Sequence, residues 1–386
     1  MDKVKIGIIG IGNMGSSHAK NILAGKVAGG ELHAVCDINP ARLEWAKNEL
    51  GNNVKSYDNH DAFFADNQLD AVIIATPHYD HPSLAIRAFE NDLHVLVEKP
   101  AGVYTKQVRK MNEAAEKSDK VFCIMYNQRT NPLFQKLKDL IESGELGEIK
   151  RTNWIITNWY RPQSYFDSGG WRATWEGEGG GTLLNQNPHN LDLWQWTCGM
   201  PVRVRAFCHF GKYHDIEVED DVTAYVEYEN GATGVYITST ADAPGTNRLE
   251  VTGDRGKIVI EDNKLTFWRL RTSEREFNKN FTGGFGQPES WKCDVPVQGK
   301  ETAHLGIMND WVDSILNGTE LLAPGVEGIK GLMISNAMYL SSWNDDWVEL
   351  PIDEDLFYEK LQERIKNSKF EKKFAGNKTL DVSGTY

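Results

Sequence analysis

Through the first 125 residues, short apolar runs alternate with stretches of helical composition. Val4 to Ile9 is mostly apolar, interrupted by Lys5 and Gly7, and reads as a buried strand. Gly10-Ile11-Gly12-Asn13-Met14-Gly15 follows directly, and Ser16 to Ala24 is helical in composition. Glu31 to Cys36 predicts a second strand. Asn39-Pro40-Ala41 then opens a helix, with Pro40 in the first turn where its missing N–H costs nothing. Asp70 to Ala75 has strand length and ends at Thr76-Pro77, and a helix runs from His81-Pro82 to about Asn91. Leu93 to Val97 is the next strand, closed by Glu98-Lys99-Pro100; Thr105 to Ser118 is an amphipathic helix and Lys120 to Met125 a further strand. This alternation predicts right-handed crossovers and a parallel sheet covered on both faces. Ligands bind such sheets outside the carboxyl ends of the strands, where Gly10, Asp37, Thr76 and Lys99 all fall.

The pattern changes after Tyr126. Pro132 to Ser143 predicts a helix closed by Gly144, and Glu148 to Trp159 a long strand. Arg161 to Gly181 is rich in Gly, Trp, Ser and Arg and reads as a loop laid over the molecule. A helical stretch then runs to about Cys198, starting near Asn185 so that Pro188 falls in its first turn. Between Val202 and Arg269, VRVRAFCHF, VTAYVEYE, TGVYITST, NRLEVTG, GKIVIED and KLTFWRL are separated by turn signals such as Glu229-Asn230-Gly231, which predicts an antiparallel sheet. Helices return at His304 to Leu316 and Glu327 to Asn344. The predicted class is α/β: a Rossmann domain over 1–126, then an α+β domain over 127–366 with a large, open, mostly antiparallel sheet, and a loosely held tail over 367–386.

Composition narrows the partners. The 386 residues exceed what one core usually reaches, which agrees with two domains. A net charge of −13 argues against nucleic acid, whose phosphates require clustered cations. The five cysteines form no CxxC pair, so neither a disulfide framework nor a metal site is expected. No apolar run approaches the roughly 20 residues that span a bilayer, and a strand beginning at residue 4 leaves no room for a leader, so a cytoplasmic protein is expected.

The glycine run has the strand–turn–helix context in which GxGxxG acquires physical meaning. Gly10 allows the tight turn, Gly12 lets backbone approach a pyrophosphate, Gly15 lets helix and strand pack, and the helix start offers unpaired N–H groups. Asp37, at the end of the second strand, is placed to accept from a ribose 2′-OH and would repel the 2′-phosphate of NADP. NAD is therefore the expected cofactor rather than NADP.

GIIGIGNMG, Ala75-Thr76-Pro77 with His81, Glu98-Lys99-Pro100, Tyr126-Asn127, and Gly179-Gly180-Gly181 leading to His189 and Asp192 together resemble the Gfo/Idh/MocA oxidoreductases over residues 4 to about 350. The resemblance implies that Lys99 reaches the substrate hydroxyl and that His189 faces the nicotinamide and exchanges the proton. It further implies cofactor contacts from the glycine loop, Asp37, Thr76, Pro77, His78, His81, Glu98, Lys99, Asn127, Trp171 and Arg172. Lys99, Tyr126, Asn185 and His189 are expected substrate contacts, as are Tyr160 and Arg161, which lie beside the glycine-rich loop. Where the family commonly has Asp four residues before this histidine, the chain has Asn185. A neutral amide still bonds to hydroxyls but cannot raise the pKa of His189, so His189 is expected neutral at pH 7 with the positive charge on Lys99. Half of the twelve tryptophans lie between Trp154 and Trp196. Trp154, Trp194 and Trp196 are expected in the core; Trp159 and Trp171 are expected at a ligand, since flat apolar faces suit the C–H faces of a pyranose.

Within the family, GGGTLLNQNPHNLDLW is similar to members that oxidise pyranosides, such as levoglucosan dehydrogenases and glycoside 3-dehydrogenases. The expected reaction is NAD-dependent oxidation of a ring hydroxyl, at C3, of a sugar, anhydrosugar or glycoside. Inositol oxidation, redox-neutral NAD-dependent glycoside cleavage and non-catalytic regulation are the alternatives. Large side chains on both faces of VTAYVEYE predict a homodimer or homotetramer through the sheet.

Overall fold

The computed structural model describes residues 2–373. Its first half runs β1 (Val4–Ile9), α1 (Asn13–Leu23), β2 (Gly30–Cys36), α2 (Pro40–Leu50), β3 (Lys55–Tyr57), α3 (His60–Phe64), β4 (Ala71–Ile74), α4 (Asp80–Glu90), β5 (His94–Val97), α5 (Thr105–Glu116) and β6 (Phe122–Ile124). These strands form one parallel sheet in the order β3-β2-β1-β4-β5-β6. Every residue of β4 is fully buried, as expected of a strand covered on both faces. Gly7 interrupts the apolar run of β1 because the Phe63 ring packs where its side chain would stand. The order reverses between β1 and β4, which opens a crevice at the carboxyl edge.

The second half runs α6 (Pro132–Glu142), β7 (Ile149–Ile156), α7 (Gln163–Phe166), α8 (Pro188–Cys198), β8 (Arg203–Phe210), β9 (Glu219–Glu227), β10 (Thr233–Ser239), β11 (Asn247–Gly253), β12 (Gly256–Glu261), β13 (Lys264–Leu270), α9 (Glu274–Asn280), β14 (Ser290–Cys293), α10 (Ala303–Asn317), α11 (Gly328–Asn344), β15 (Val348–Glu349) and α12 (Glu354–Asn367). Its nine strands are ordered β14-β13-β12-β11-β7-β10-β9-β8-β15. All neighbours are antiparallel except β7 and β10, whose parallel pairing inserts the long first strand into the middle of the sheet. Trp154 and Trp194 are 1% exposed, and Trp194 stacks on Tyr236, so both are core residues as expected.

Three expectations require correction. α8 begins at Pro188, not near Asn185: proline fits a first helical position, and Asn187, which precedes it, binds Thr182 and Thr238. The loop at 161–181 contains a helical turn, α7. Of the expected tail, residues 374–386 lie outside the described residues, whereas 368–373 are tied down. Ser368 Oγ donates to Glu217, Lys372 Nζ to the Phe166 carbonyl, and Lys373 Nζ to Asp215 at 2.6 Å.

Residues 303–327 return to the first sheet. Asn309 Oδ1 accepts from the Ala28 N–H at 2.8 Å, and the Ile124 N–H donates to the Ala323 carbonyl at 3.1 Å. The two halves therefore meet both ahead of β2, at Ala28, and along the edge strand β6.

Candidate active site

The glycine loop is shaped for a dinucleotide in three distinct ways. Gly10 has φ +85° and lies against the Ala75 backbone, so only glycine suits the turn. A methyl on Gly15 would strike the Gly10 carbonyl, which is how closely α1 crosses β1. Gly12 has nothing within 4 Å of where a Cβ would stand, leaving its backbone open to an approaching group. Gly12 also caps α1 without a side-chain hydrogen bond, which leaves the positive end of this helix facing the loop. Asp37 Oδ2 accepts from the Ile11 N–H at 2.9 Å and Oδ1 from the Asn39 N–H at 2.9 Å. Its carboxylate thus braces the loop, with lone pairs remaining for a hydroxyl. Arg42 lies across the same loop, donating to the Ile11 and Gly12 carbonyls.

Beside the loop, β4 and β5 deliver Thr76-Pro77-His78 and Glu98-Lys99. Thr76 Oγ1 and Asn127 Oδ1 are buried without a protein partner, which leaves both open to a ligand. His81 is different from expectation. Its Nδ1 lies 2.7 Å from the Pro100 carbonyl and its Nε2 2.8 Å from the Thr76 carbonyl, so it laces two strand ends together and presents neither nitrogen to a cofactor. His78 points Nδ1 at the Glu178 carbonyl, 3.1 Å away, and packs against Trp171. Glu98 is likewise engaged: Oε1 is 2.7 Å from His18 Nε2, and Oε2 accepts from the Lys99 N–H at 3.1 Å. Burial pushes this carboxyl upward, but the bond to His18 and the neighbouring cations win and hold it down at about 2.

The second half brings the imidazole. Glu219 on β9 accepts from the Gly181 and Leu183 N–H groups at 2.9 and 2.8 Å, pinning the turn before α8. That turn presents the Asn185 carbonyl to Lys99 Nζ, 3.0 Å away, and α8 then carries His189. Burial places His189 well below its usual range, and the Lys99 ammonium and His304 push it the same way. The imidazole is neutral at pH 7, and its Nδ1 is buried without a partner. Lys99 is also lowered by burial, opposed by Glu98 and reinforced by Arg172 and Arg161. Lys99 and His189 come from different halves, yet both are buried and close enough for the ammonium to act on the imidazole.

The remaining sites divide. Tyr126 packs edge-on against His189, and its hydroxyl donates to the Gly328 carbonyl at 3.3 Å, so its ring, not its hydroxyl, faces His189. Tyr160 is 49% exposed, and its carbonyl accepts from Arg161. Asp192 lies in a buried pair with Arg129 (2.6 and 2.8 Å) and is structural. Trp171 and Arg172 sit at the pocket, Arg172 Nη1 donating to the Tyr165 hydroxyl at 2.8 Å.

Four residues of the site escape sequence reasoning. Glu178 is buried, accepts from the Asn185 side-chain amide and the Ala173 N–H, and lies 3.7 Å from Arg172. It supplies a carboxylate beside the position where the family has Asp, and burial raises its pKa. Gln186 donates to the Tyr165 hydroxyl at 3.1 Å. His18 and His304 lie with ring centroids 5.7 Å apart beside Glu98. A polar residue adjoining the GGG turn was the available signal for Glu178.

Among known proteins, residues 4–126 match the family model described as "Oxidoreductase family, NAD-binding Rossmann fold", and residues 134–259 match "GFO/IDH/MocA C-terminal domain". The chain belongs to the Gfo/Idh/MocA oxidoreductases. It is 27% identical over 68% of its length to the myo-inositol 2-dehydrogenase of Thermotoga maritima, covering 77% of that protein. With the levoglucosan dehydrogenase of Pseudarthrobacter phenanthrenivorans it shares 23% identity over 91% of this chain and 99% of the relative. Among solved structures it resembles the WlbA dehydrogenase from Bordetella pertussis in complex with NADH and UDP-GlcNAcA, with TM-score 0.76 and 25% identity over 91% of this chain and 100% of that one. This Gfo/Idh/MocA member is an NAD-dependent oxidoreductase of the sugar and polyol dehydrogenase group. Among its described residues no group of three or more His, Cys, Asp or Glu is arranged to hold a metal, and no helix is long and apolar enough to cross a membrane.

Proposed function

We propose that this protein oxidises a ring hydroxyl, at C3, of a sugar, anhydrosugar or glycoside, with His189 as the base and Lys99 stabilising the oxyanion. The observation that carries this reading is the Lys99 ammonium, bonded to the carbonyl of Asn185 four residues before His189 and close enough to push the buried imidazole further toward its neutral form. Oxidation of a carbinol requires a neutral base and a positive charge at the same oxygen. His189, neutral at pH 7, takes the hydroxyl proton on its imidazole. The Lys99 ammonium, desolvated and fixed, stabilises the developing negative oxygen more strongly than it would in water. Bound NAD supplies the hydride acceptor. Gly10, Gly12, Gly15, Asp37, Thr76 and Asn127 are the residues that would hold it, with the backbone at Gly12 left open to its approach. Glu178 and Asn185 fix the turn that presents His189.

Pyranosides are favoured over inositols on the segment Gly179 to Trp194. The test follows NADH formation over matched panels of pyranosides and inositols, with Lys99→Met as control. Pyranoside turnover that Lys99→Met reduces by at least about 10³-fold while NADH still binds is expected. Turnover on inositols alone would reverse the substrate order. An aglycone released without net NADH would move the reaction to redox-neutral cleavage.

We also propose residues 1–126 as the nucleotide-binding domain and 127–366 as the substrate domain. The outer face of the nine-stranded sheet, where Phe207 and Tyr225 are exposed, is proposed as the homo-oligomer contact. Five unpaired cysteines support a cytoplasmic setting.

A further inference from the structure

The charges around the pocket do not cancel, and the residue left over is Arg161. Three cations act here: Lys99, Arg161 and Arg172. The two nearby carboxylates are already engaged. Glu98 is held by His18 and the Lys99 N–H, and Glu178 by Asn185, Ala173 and Arg172. Among the described residues no carboxylate lies within ion-pair distance of Arg161. Its Nη1 donates to the Tyr160 carbonyl at 2.9 Å, and its Nε is buried without a partner.

Arg161 is also held still. Its guanidinium lies over Trp159, 5.5 Å from the ring centroid, and over Tyr165 at 5.2 Å. Trp159 Nε1 donates to Asn190 Oδ1 at 3.3 Å, which ties this aromatic clamp to the residue after His189. Arg172 lies over the same Tyr165 ring at 4.6 Å. The Tyr165 hydroxyl accepts from Arg172 and Gln186, so its own proton is free to donate outward. A half-buried guanidinium with a fixed rotamer and no counter-charge is costly on its own, and its planar fork matches a carboxylate.

We propose that the substrate is a sugar acid, whose carboxylate is held by Arg161 and the Tyr165 hydroxyl while the reacting hydroxyl lies at Lys99 and His189. The assignment rests on the dehydrogenase reading for the position of the hydroxyl. The anion subsite itself stands on Arg161, Trp159 and Tyr165. It also explains why cations from the loop at 161–181 surround a site in a chain of net charge −13.

The test compares neutral and acidic partners of one ring. Methyl glycopyranosides of the gluco, galacto and manno series, the corresponding methyl glycopyranosiduronates and the corresponding 6-phosphates are titrated calorimetrically into the full-length protein loaded with NADH, and turnover with NAD is measured in parallel. The acid is expected to bind at least about tenfold more tightly than its neutral partner, with a preference that weakens as salt is added. Arg161→Gln is expected to cut the acid-to-neutral ratio at least about tenfold, and Arg161→Lys to restore part of it. Equal binding of acid and neutral partners, binding of neither, or an Arg161→Gln loss equal for both overturns the proposal. Preference for the 6-phosphates over the uronates overturns the carboxylate assignment. Acid-selective binding without turnover on any ring leaves the subsite standing and removes the dehydrogenase reading. Unselective turnover does the reverse.

Discussion

Glu98→Gln is the perturbation whose size and pH dependence the structure specifies most closely. The carboxyl sits at the end of β5, 5% exposed, between His18 Nε2 and the Lys99 N–H. Its ordinary value is 4.5, and the fold holds it at about 2. A carboxylate with a depressed folded pKa contributes stability that is present above the unfolded value and lost as pH falls through the folded one. The gap of two to three units corresponds to about 3 kcal/mol, in the range expected on breaking a buried ion pair. Gln keeps the shape and an acceptor oxygen but not the charge. The variant should therefore be less stable than wild type by about 3 kcal/mol at pH 7, and the difference should close between pH 4.5 and about 2. Urea unfolding at pH 7, 5 and 3, followed by circular dichroism, reads this directly. A penalty below about 1 kcal/mol at pH 7, or one that does not change with pH, would refute the reasoning. A second readout is independent of stability. Glu98 raises Lys99, so its removal should move the alkaline limb of kcat/KM to lower pH.

Two further predictions separate fold from function. Gly12→Ala should melt within about 2 °C of wild type, because no atom stands near the added methyl, yet bind NADH at least about tenfold more weakly. Gly15→Ala drives its methyl into the Gly10 carbonyl and should lower the melting temperature in calorimetry by several degrees, about 1–3 kcal/mol. A Gly12→Ala protein with unchanged NADH affinity would remove the loop from cofactor binding. Glu178→Gln leaves one amide oxygen for two donors, Asn185 Nδ2 and the Ala173 N–H, and sets its own NH2 against the other, so it should cost about 1–3 kcal/mol in denaturant titration and lower kcat/KM. The double variant Glu178→Gln with Asn185→Asp rebuilds the pair with its charge exchanged, and should recover most of the lost kcat/KM. Failure to recover would mean that the carboxylate is needed at 178 itself.

The nucleotide half was legible in the sequence because every signal there is local. Apolar runs of strand length, a proline at a first turn and the GxGxxG spacing each depend on neighbours in the chain, and the boundaries of β1 and α2 follow from them directly. What escaped was short or remote. β3 has three residues, none fully buried, and α12 buries only Phe357 and Leu361, too few for a clear period. The parallel pairing of β7 with β10 joins segments some 80 residues apart, and hairpin logic has no access to such a contact.

The same division runs through the site. Lys99 and His189 were readable as residue types, but the direction of a hydroxyl or an amide is a tertiary fact. Tyr126 therefore reads as a substrate contact while its hydroxyl bonds Gly328. Asn185 shows why the departure from the family's Asp leaves the base and the lysine together. Residue 185 anchors Lys99 through its main-chain carbonyl, an atom that every residue possesses, and its side chain is answered by Glu178 from across the glycine turn. The substitution therefore moves a negative charge by seven residues along the chain without dismantling the pocket. Burial, with charges brought in by tertiary contact, sets what Lys99 and His189 experience, and Glu178 acts on the lysine.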